Sequence, residues 1–281
     1  LTESNGDFEK AVEYLREKGL AAAAKKAGRI AAEGMVFAEA DMAKKVGVVI
    51  EVNAETDFVA KNELFRTFVQ DLAQIVINEN PADVDALLKC KMGDGDVDAA
   101  LKEKILVIGE NIKIRRFERF EGVCAAYVHG GGTHGVLVEF NTSDAVASKP
   151  EFVAFGKDIA MQIAAVNPAY LNEASVPAEV LEKEKEILLA QISNDPKLAS
   201  KPDQVKEKMV EGKIGKYYKE NCLVDQQFVK DGDLTVAQYV EKTGKELGGD
   251  IEIVKYVRFE KGEGLEKKED DFAAEVASMV K

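Results

Sequence analysis

The sequence predicts an α+β protein: two related core modules, each a three-stranded antiparallel sheet plus helices, with an inserted helical hairpin and small helical ends. Three observations carry this expectation. The chain contains its own duplication, each copy mixes β-branched strands with amphipathic helical stretches, and one copy is interrupted by a segment of purely helical pattern.

The duplication comes first, because a missed repeat miscalls the whole fold. Gly34, Ala38, Gly47, Val48, Glu51 and Asn53 fall on Gly122, Ala126, Gly135, Val136, Glu139 and Asn141 at one constant spacing. The second copy then drops a residue. Asp57, Val59, Ala60, Phe65, Phe68, Asp71, Ala73, Asn80 and Pro81 fall on Asp144, Val146, Ala147, Phe152, Phe155, Asp158, Ala160, Asn167 and Pro168. The match resumes at a wider spacing. Val97, Gly109, Ile112, Ile114, Arg119, Phe120 and Glu121 meet Val236, Gly248, Ile251, Ile253, Arg258, Phe259 and Glu260. The second copy therefore carries an insertion between Pro168 and Val236.

Each module orders as strand, strand, helix, further helix, strand. Residues 47–53 and 135–141 are short β-branched-rich runs, the pattern of half-buried strands. Leu64, Phe65, Phe68, Val69, Leu72, Ile75 and Val76 recur at helical spacing, as do Phe152, Phe155, Ile159 and Ile163. Pro150 suits the first turn of the second of these helices, where its missing N–H costs nothing. Closing strands built on Ile112 and Ile114, and on Ile251 and Ile253, alternate with period two.

The insertion differs in kind. Val176, Val180, Ile187, Leu188 and Ile192 form one stripe, and Val205, Met209, Val210, Ile214, Tyr217 and Tyr218 another, with Asn194-Asp195-Pro196 and Pro202 marking the turn between them. This predicts an antiparallel helical hairpin of coiled-coil character, serving either stability or dimerisation. Phe8, Val12 and Leu15 share a helical face near the start, and Phe272, Val276 and Met279 near the finish. The expected plan is a partial N-terminal helical domain and linker (1–28), core module 1 (29–121), core module 2 (122–171 and 223–263), the hairpin (172–222) and a C-terminal helical module (264–281).

Composition narrows the function. With 38 basic and 51 acidic residues the net charge is −13, which argues against nucleic acid or an anionic membrane as main partner. No apolar run approaches the roughly 18 residues of a membrane span. Cys90, Cys124 and Cys222 are odd in number and far apart, which predicts a reducing compartment and no disulfide framework. The first residues carry no signal-peptide pattern, yet Leu1 is an unusual start, so a lost targeting segment stays open.

An enzyme advertises clustered nucleophiles, bases or ligands, and this chain does not. Its two histidines, His129 and His134, bracket a Gly-Gly-Gly-Thr turn with no third metal ligand of familiar spacing beside it. A phosphate-cradling loop would lead into a helix, whereas here a strand follows. The segment predicts a hairpin turn of φ > 0 residues with His129 exposed at a strand end. The run Lys113-Ile114-Arg115-Arg116 predicts a solvated strand face. No catalytic residue, metal ligand or cofactor is expected. The rivals are a hydrolase built on the His129–His134 turn and a plain dimeric scaffold.

The loop Glu55-Thr56-Asp57-Phe58-Val59-Ala60-Lys61-Asn62 is the candidate site, with Asn62 as the N-cap of the next helix. Its counterpart is Ser143-Asp144-Ala145-Val146-Ala147, which keeps the Asp, Val and Ala but puts Ala145 where Phe58 stands. A ring needed only to hold the loop should recur in both copies. Two readings follow: Phe58 fills a gap between the modules, or it is an exposed aromatic anchor of the kind that dominates interfaces.

This stretch resembles the signature of the bacterial elongation factor Ts family. The likeness extends along the chain through Asn5-Gly6-Asp7, Ala24-Lys25-Lys26-Ala27-Gly28-Arg29, Gly109-Glu110-Asn111-Ile112, Tyr127-Val128-His129-Gly130, Ser148-Lys149-Pro150-Glu151-Phe152 and Asp271-Phe272. It implies a guanine nucleotide exchange factor acting on elongation factor Tu in the bacterial cytoplasm. It also implies that Thr56, Asp57, Phe58, Val59 and Ala60 form the loop that dislocates the partner's Mg²⁺. His129 and Gly130 would add contacts, and the hairpin would be a dimerisation arm. The family commonly has Arg-Ile where this chain has Thr133-His134, and its members begin with a further helix before the position of Leu1.

Overall fold

The computed structural model describes residues 2–267, the side chain of Phe8 excepted. In chain order the elements are α1 (Phe8–Lys26), β1 (Glu33–Asp41), β2 (Val46–Ala54), α2 (Glu63–Glu79), α3 (Val84–Leu87), β3 (Lys91–Met92), β4 (Gly95–Asp96), α4 (Val97–Ile108), β5 (Lys113–Glu121), β6 (Val123–His129) and β7 (His134–Thr142). Then follow α5 (Asp144–Ala147), α6 (Pro150–Val166), α7 (Ala178–Asn194), α8 (Asp203–Asn221), β8 (Gln227–Phe228), β9 (Asp231–Thr235), α9 (Val236–Leu247) and β10 (Ile251–Glu260). The three-stranded sheets are ordered β1-β2-β5 and β10-β7-β6, so the fold is α+β. The expected C-terminal face of Phe272, Val276 and Met279 lies outside the described residues.

The duplication reappears in the backbone. α2 and α6 each run 17 residues and stop on Asn80 and Asn167, both left-handed at φ 49 and 50. α4 and α9 each run 12 residues and stop on Gly109 and Gly248, at φ 87 and 76. Left-handed C-caps take Gly most readily and Asn next, which is why these four positions repeat. Each copy also places a minor two-stranded hairpin, β3-β4 or β8-β9, just before its second long helix.

By compactness the described residues divide into 138–256 and a second unit of 2–137 with 257–267. In the latter unit β1, β2 and β5 pair antiparallel, with Met35 opposite Val52 and Ile50 opposite Phe117. Val48, Ile50, Val52 and Ala54 pack on Phe65, Phe68, Leu72 and Val76 of α2. The opposite face puts Val49 among Val36, Ala38, Phe120, Cys124, Leu137 and Phe259. β2 is therefore buried along its whole length, not half-buried, because both faces of this central strand are covered. Gly47 is required by that packing, since a Cβ there would lie 2.4 Å from Leu137 Cδ1.

The face that Val12 and Leu15 share on α1 is exposed, because α1 packs on α4 through another, where Gly19 meets Lys102 and Lys26 Nζ donates to the Ile105 carbonyl. One expectation is corrected in this unit: the basic run at the start of β5 is not a solvated face. The β2–β5 register slips between Glu51 and Val52, leaving Arg115 as the extra residue of a bulge. Consecutive arginines thereby turn to the same carboxylate: Arg115 Nη1 lies 3.0 Å and Arg116 Nε 2.6 Å from the buried Glu51.

In the unit of residues 138–256, Phe140, Phe152 and Phe155 cluster with ring centroids 5.5 to 5.8 Å apart, and Tyr239 stacks on Phe228 at 4.1 Å. α7 and α8 pack together through Leu188, Ile192, Val210 and Ile214. Ile187 and Val205, expected in these stripes, point outward instead, while Leu181 and Leu198 take part in the contact. The hairpin leaves and re-enters the unit at one place, where Tyr170 bridges Cys222.

Candidate functional site

The candidate loop begins where β2 runs out of partners. At residue 55 the backbone leaves the sheet, and two carboxylates take over its hydrogen bonds. Glu110 Oε2 accepts the N–H groups of Glu55 and Thr56, each at 3.0 Å, and Glu110 Oε1 accepts the Thr56 hydroxyl at 2.6 Å. In return Glu55 Oε1 accepts the Asn111 N–H at 2.6 Å, with Arg29 Nη1 3.5 Å away.

The other end is fixed by packing and a cap. Val59 is buried in the core that contains Met35 and Phe65. Residues Val59–Lys61 form one tight helical turn, and Asn62 Oδ1 accepts the Leu64 N–H at 2.9 Å, as an N-cap does. Ala60 is half-buried. Between these fixed points only Asp57 and Phe58 stand free. Phe58 is 77% exposed, the highest figure among the exposed large apolar side chains of the described residues. Lys61 Nζ lies 3.1 Å from Asp57 Oδ2 and 5.8 Å from the Phe58 ring centroid, so one ammonium trims both tip residues.

The second copy is built otherwise at the same place. Ser143 caps a single helical turn, Asp144–Ala147, in which Val146 is buried and Ala145 exposed. The residue matching Glu110 is Gly249, where even a Cβ would sit 2.8 Å from Val146 Cγ2. The exposed ring, the extra residue Glu55 and the clamping Glu110 thus belong to the first copy alone.

The His129 turn presents a different surface. Gly130, Gly131 and Gly132 all take positive φ (58, 68 and 111), and the value at Gly132 suits only glycine. The His129 carbonyl accepts the N–H groups of Gly132 and Thr133 at 3.1 and 3.0 Å. The turn is seated on β1, where the Val36 N–H donates to the Gly132 carbonyl at 2.8 Å and Gly132 lies against Met35. His129 and Gly130 are exposed, with His129 Nδ1 2.9 Å from the Tyr127 hydroxyl. His134 turns instead to Glu260, at 3.4 Å. The Arg258 guanidinium, 3.1 Å from Glu260, is the first cause holding that carboxyl below its usual range; burial opposes it and His134 adds to it. The glycine turn therefore rests on β1 through Val36 and Met35, and Met35 belongs to the same core that buries Val59. Among the described residues no three His, Cys, Asp or Glu side chains group as metal ligands, and no helix is long and apolar enough to cross a membrane.

With this geometry in view, comparison with known proteins is decisive. Residues 55–263 match the family described as Elongation factor TS. The elongation factor Ts of Clostridium perfringens strain 13 is 53% identical, the match covering 99% of this chain and 91% of that protein. Those of Clostridium novyi strain NT and Syntrophotalea carbinolica are 50% and 48% identical, each match covering all of this chain and 91% or 92% of the relative. The chain belongs to the elongation factor Ts family. Its role accordingly lies in translation elongation. Glu110 and Arg29 are members of the site that the sequence did not single out, and the contacts of Glu55 and Lys61 add roles to two residues already in the candidate loop. The one available signal was the pairing of an extra residue in the first copy with a Glu-for-Gly difference 55 residues away.

Proposed function

We propose that this chain is a guanine nucleotide exchange factor for elongation factor Tu, entering the GTPase with Asp57 and Phe58 to release GDP and allow GTP to rebind. The observation that carries the reading is the 77% exposure of Phe58 at the tip of a loop tied down on both sides. An exposed ring on a rigid mount supplies desolvation energy without the ordering cost of a floppy loop. The adjacent carboxylate of Asp57 competes with phosphate oxygens for Mg²⁺ or for their hydrogen-bond donors on the partner. A factor that binds the nucleotide-free GTPase more tightly than the GDP form must, by linkage, weaken GDP by the same ratio.

In this reading Thr56, Val59 and Ala60 mount the wedge, and His129 with Gly130 makes further contacts with Tu. The chain itself makes and breaks no bond, needs no cofactor or metal of its own, and works in the bacterial cytoplasm without direct nucleic-acid contact, in keeping with its net charge of −13. Residues 29–121 and 122–171 with 223–263 serve as paired core modules. Residues 172–222 form a dimerisation arm, for which the outward Ile187, Leu189 and Val205 supply apolar surface. The test follows a fluorescent GDP analogue leaving purified Tu in the presence of excess GTP. Addition of this chain should accelerate release manyfold. Release at the unassisted rate would overturn the exchange reading and leave the scaffold.

A further inference from the structure

The contacts of the loop assign a role to a residue that stands outside it. We infer that Glu110 is the positioning residue of the wedge: its carboxylate fixes Glu55 and Thr56 so that Asp57 and Phe58 are held in the one geometry that displaces nucleotide. The inference rests on the exchange reading and deepens it.

Glu110 follows the left-handed Gly109 that ends α4, so its side chain starts from a sharply defined backbone position. All three of its contacts go to two consecutive loop residues: the N–H groups of Glu55 and Thr56 at 3.0 Å and the Thr56 hydroxyl at 2.6 Å. Hydrogen bonds to an ionised carboxylate are about twice as strong as neutral ones, and a bidentate set also fixes direction. The bonding is reciprocal, since Glu55 Oε1 takes the Asn111 N–H at 2.6 Å. Asn111 is itself buried and donates from Nδ2 to the Arg29 carbonyl at 2.7 Å. Residues 110 and 111 thus exchange bonds with residues 55 and 56 across the end of the sheet. With Val59 buried beyond, the tip has two residues between two anchors. Without Glu110 the first anchor is reduced to the contacts of Glu55 with Asn111 and Arg29, and Thr56, the residue next to the tip, is released.

The duplication supplies a control within the same chain. Where no ring is presented, at Ala145, the clamp is absent as well: Gly249 replaces Glu110, and Val146 occupies the space a side chain would need. A carboxylate needed only to finish the sheet should appear in both copies. It appears only in the copy that carries the aromatic tip.

The experiment compares the chain with its Glu110→Ala and Glu110→Gln variants in two measurements. In GDP release from Tu, titrated with factor to saturation, Glu110→Ala should lower the maximal rate about tenfold or more. The half-saturating concentration should move less than about threefold, because the surfaces that dock are untouched and only the population of the competent loop falls. Glu110→Gln should recover much of the rate: its oxygen can take both amides while its NH₂ donates to the Thr56 hydroxyl, which also accepts. In amide exchange of the free chain, the N–H groups of Glu55 and Thr56 should exchange at least about tenfold faster in Glu110→Ala, while Val49 and Ile50 stay protected.

Full maximal rate in Glu110→Ala would overturn the inference, as would a Gln variant no better than Ala, or loop amides that exchange equally in the presence and absence of the carboxylate. If the Ala variant loses protection throughout β2, Thr56→Val takes its place. It removes only the 2.6 Å bond and should lower the maximal rate about threefold to tenfold; no change would again overturn the assignment. A parent chain that fails to accelerate release sinks the exchange reading, while the amide measurement still decides whether Glu110 clamps the loop.

Discussion

Replacing Phe58 by Ala tests whether the ring serves binding rather than folding. The ring is 77% exposed, and its named neighbour is the Lys61 ammonium, 5.8 Å away and itself largely in solvent. The fold therefore loses little, within about 0.5 kcal/mol for a surface change of this kind. Full burial of a Phe side chain is worth about 1.5 to 3 kcal/mol. Three quarters of that remains available to a partner, about 1 to 2 kcal/mol, or a roughly fivefold to thirtyfold loss in assisted GDP release at fixed factor concentration. The assay pairs stopped-flow release of a fluorescent GDP analogue with urea unfolding of the same preparation. Phe65, fully buried in the core beneath the loop, is the internal standard: its change to Ala should cost about 3 to 5 kcal/mol of stability. Undiminished release by Phe58→Ala, or a Phe58→Ala variant destabilised as much as Phe65→Ala, would refute the reasoning.

Two further perturbations probe the frame around the wedge. Burial pushes the Glu51 carboxyl up, but hydrogen bonds from the Gly262 N–H, Asn53, Arg116 and Arg115 outweigh it and leave its pKa below the ordinary value of 4.5. A carboxyl depressed in the folded state contributes stability that is present above its unfolded pKa and lost as pH falls through the folded value. Glu51→Gln should thus cost about 3 kcal/mol at neutral pH, with the gap to the parent closing on acidification; urea midpoints at pH 7 and pH 3 that differ by the same amount would contradict this. Excising residues 172–222 removes the hairpin at a point where Leu223 N–H bonds the Tyr170 carbonyl at 2.8 Å, so a short linker can close the chain. Light scattering should show the mass fall from dimer to monomer while GDP release stays within about threefold; a deletion that remains dimeric would refute the arm.

What was legible in the sequence was whatever repeats at short range. Two helices ending on Asn80 and Asn167, and two more on Gly109 and Gly248, follow from local backbone preference, and the duplication doubled each signal. The Asn62 cap and the exposed Phe58 were likewise readable, one from its place before a helix and the other from its absence in copy two. The misreadings arose where a non-local contact decides. β2 looks half-buried by pattern, yet its second face is covered by Leu137, Phe259 and Cys124, residues far along the chain. Arg115 and Arg116 look like alternating strand residues until a bulge points both at Glu51.

Glu110 is the instructive case, because its role combines both kinds of information. Nothing within ten residues of it hints at a partner, and its contacts are 54 and 55 positions away. Yet the repeat already contained the clue, in that copy two lost the ring, the extra residue and the carboxylate together. A duplicated chain frees one copy to keep the fold while the other takes on a strained or exposed feature. Differences between copies that occur as a group then mark parts acting as a unit. By that reasoning Glu55, Phe58 and Glu110 are one device, and changing any one of them should impair nucleotide release by overlapping rather than additive amounts. A Phe58→Ala, Glu110→Ala double variant should fall little below the weaker single variant. A loss equal to the sum of the two free-energy effects would mean that the carboxylate and the ring act independently, and that the clamp does something other than aim the wedge.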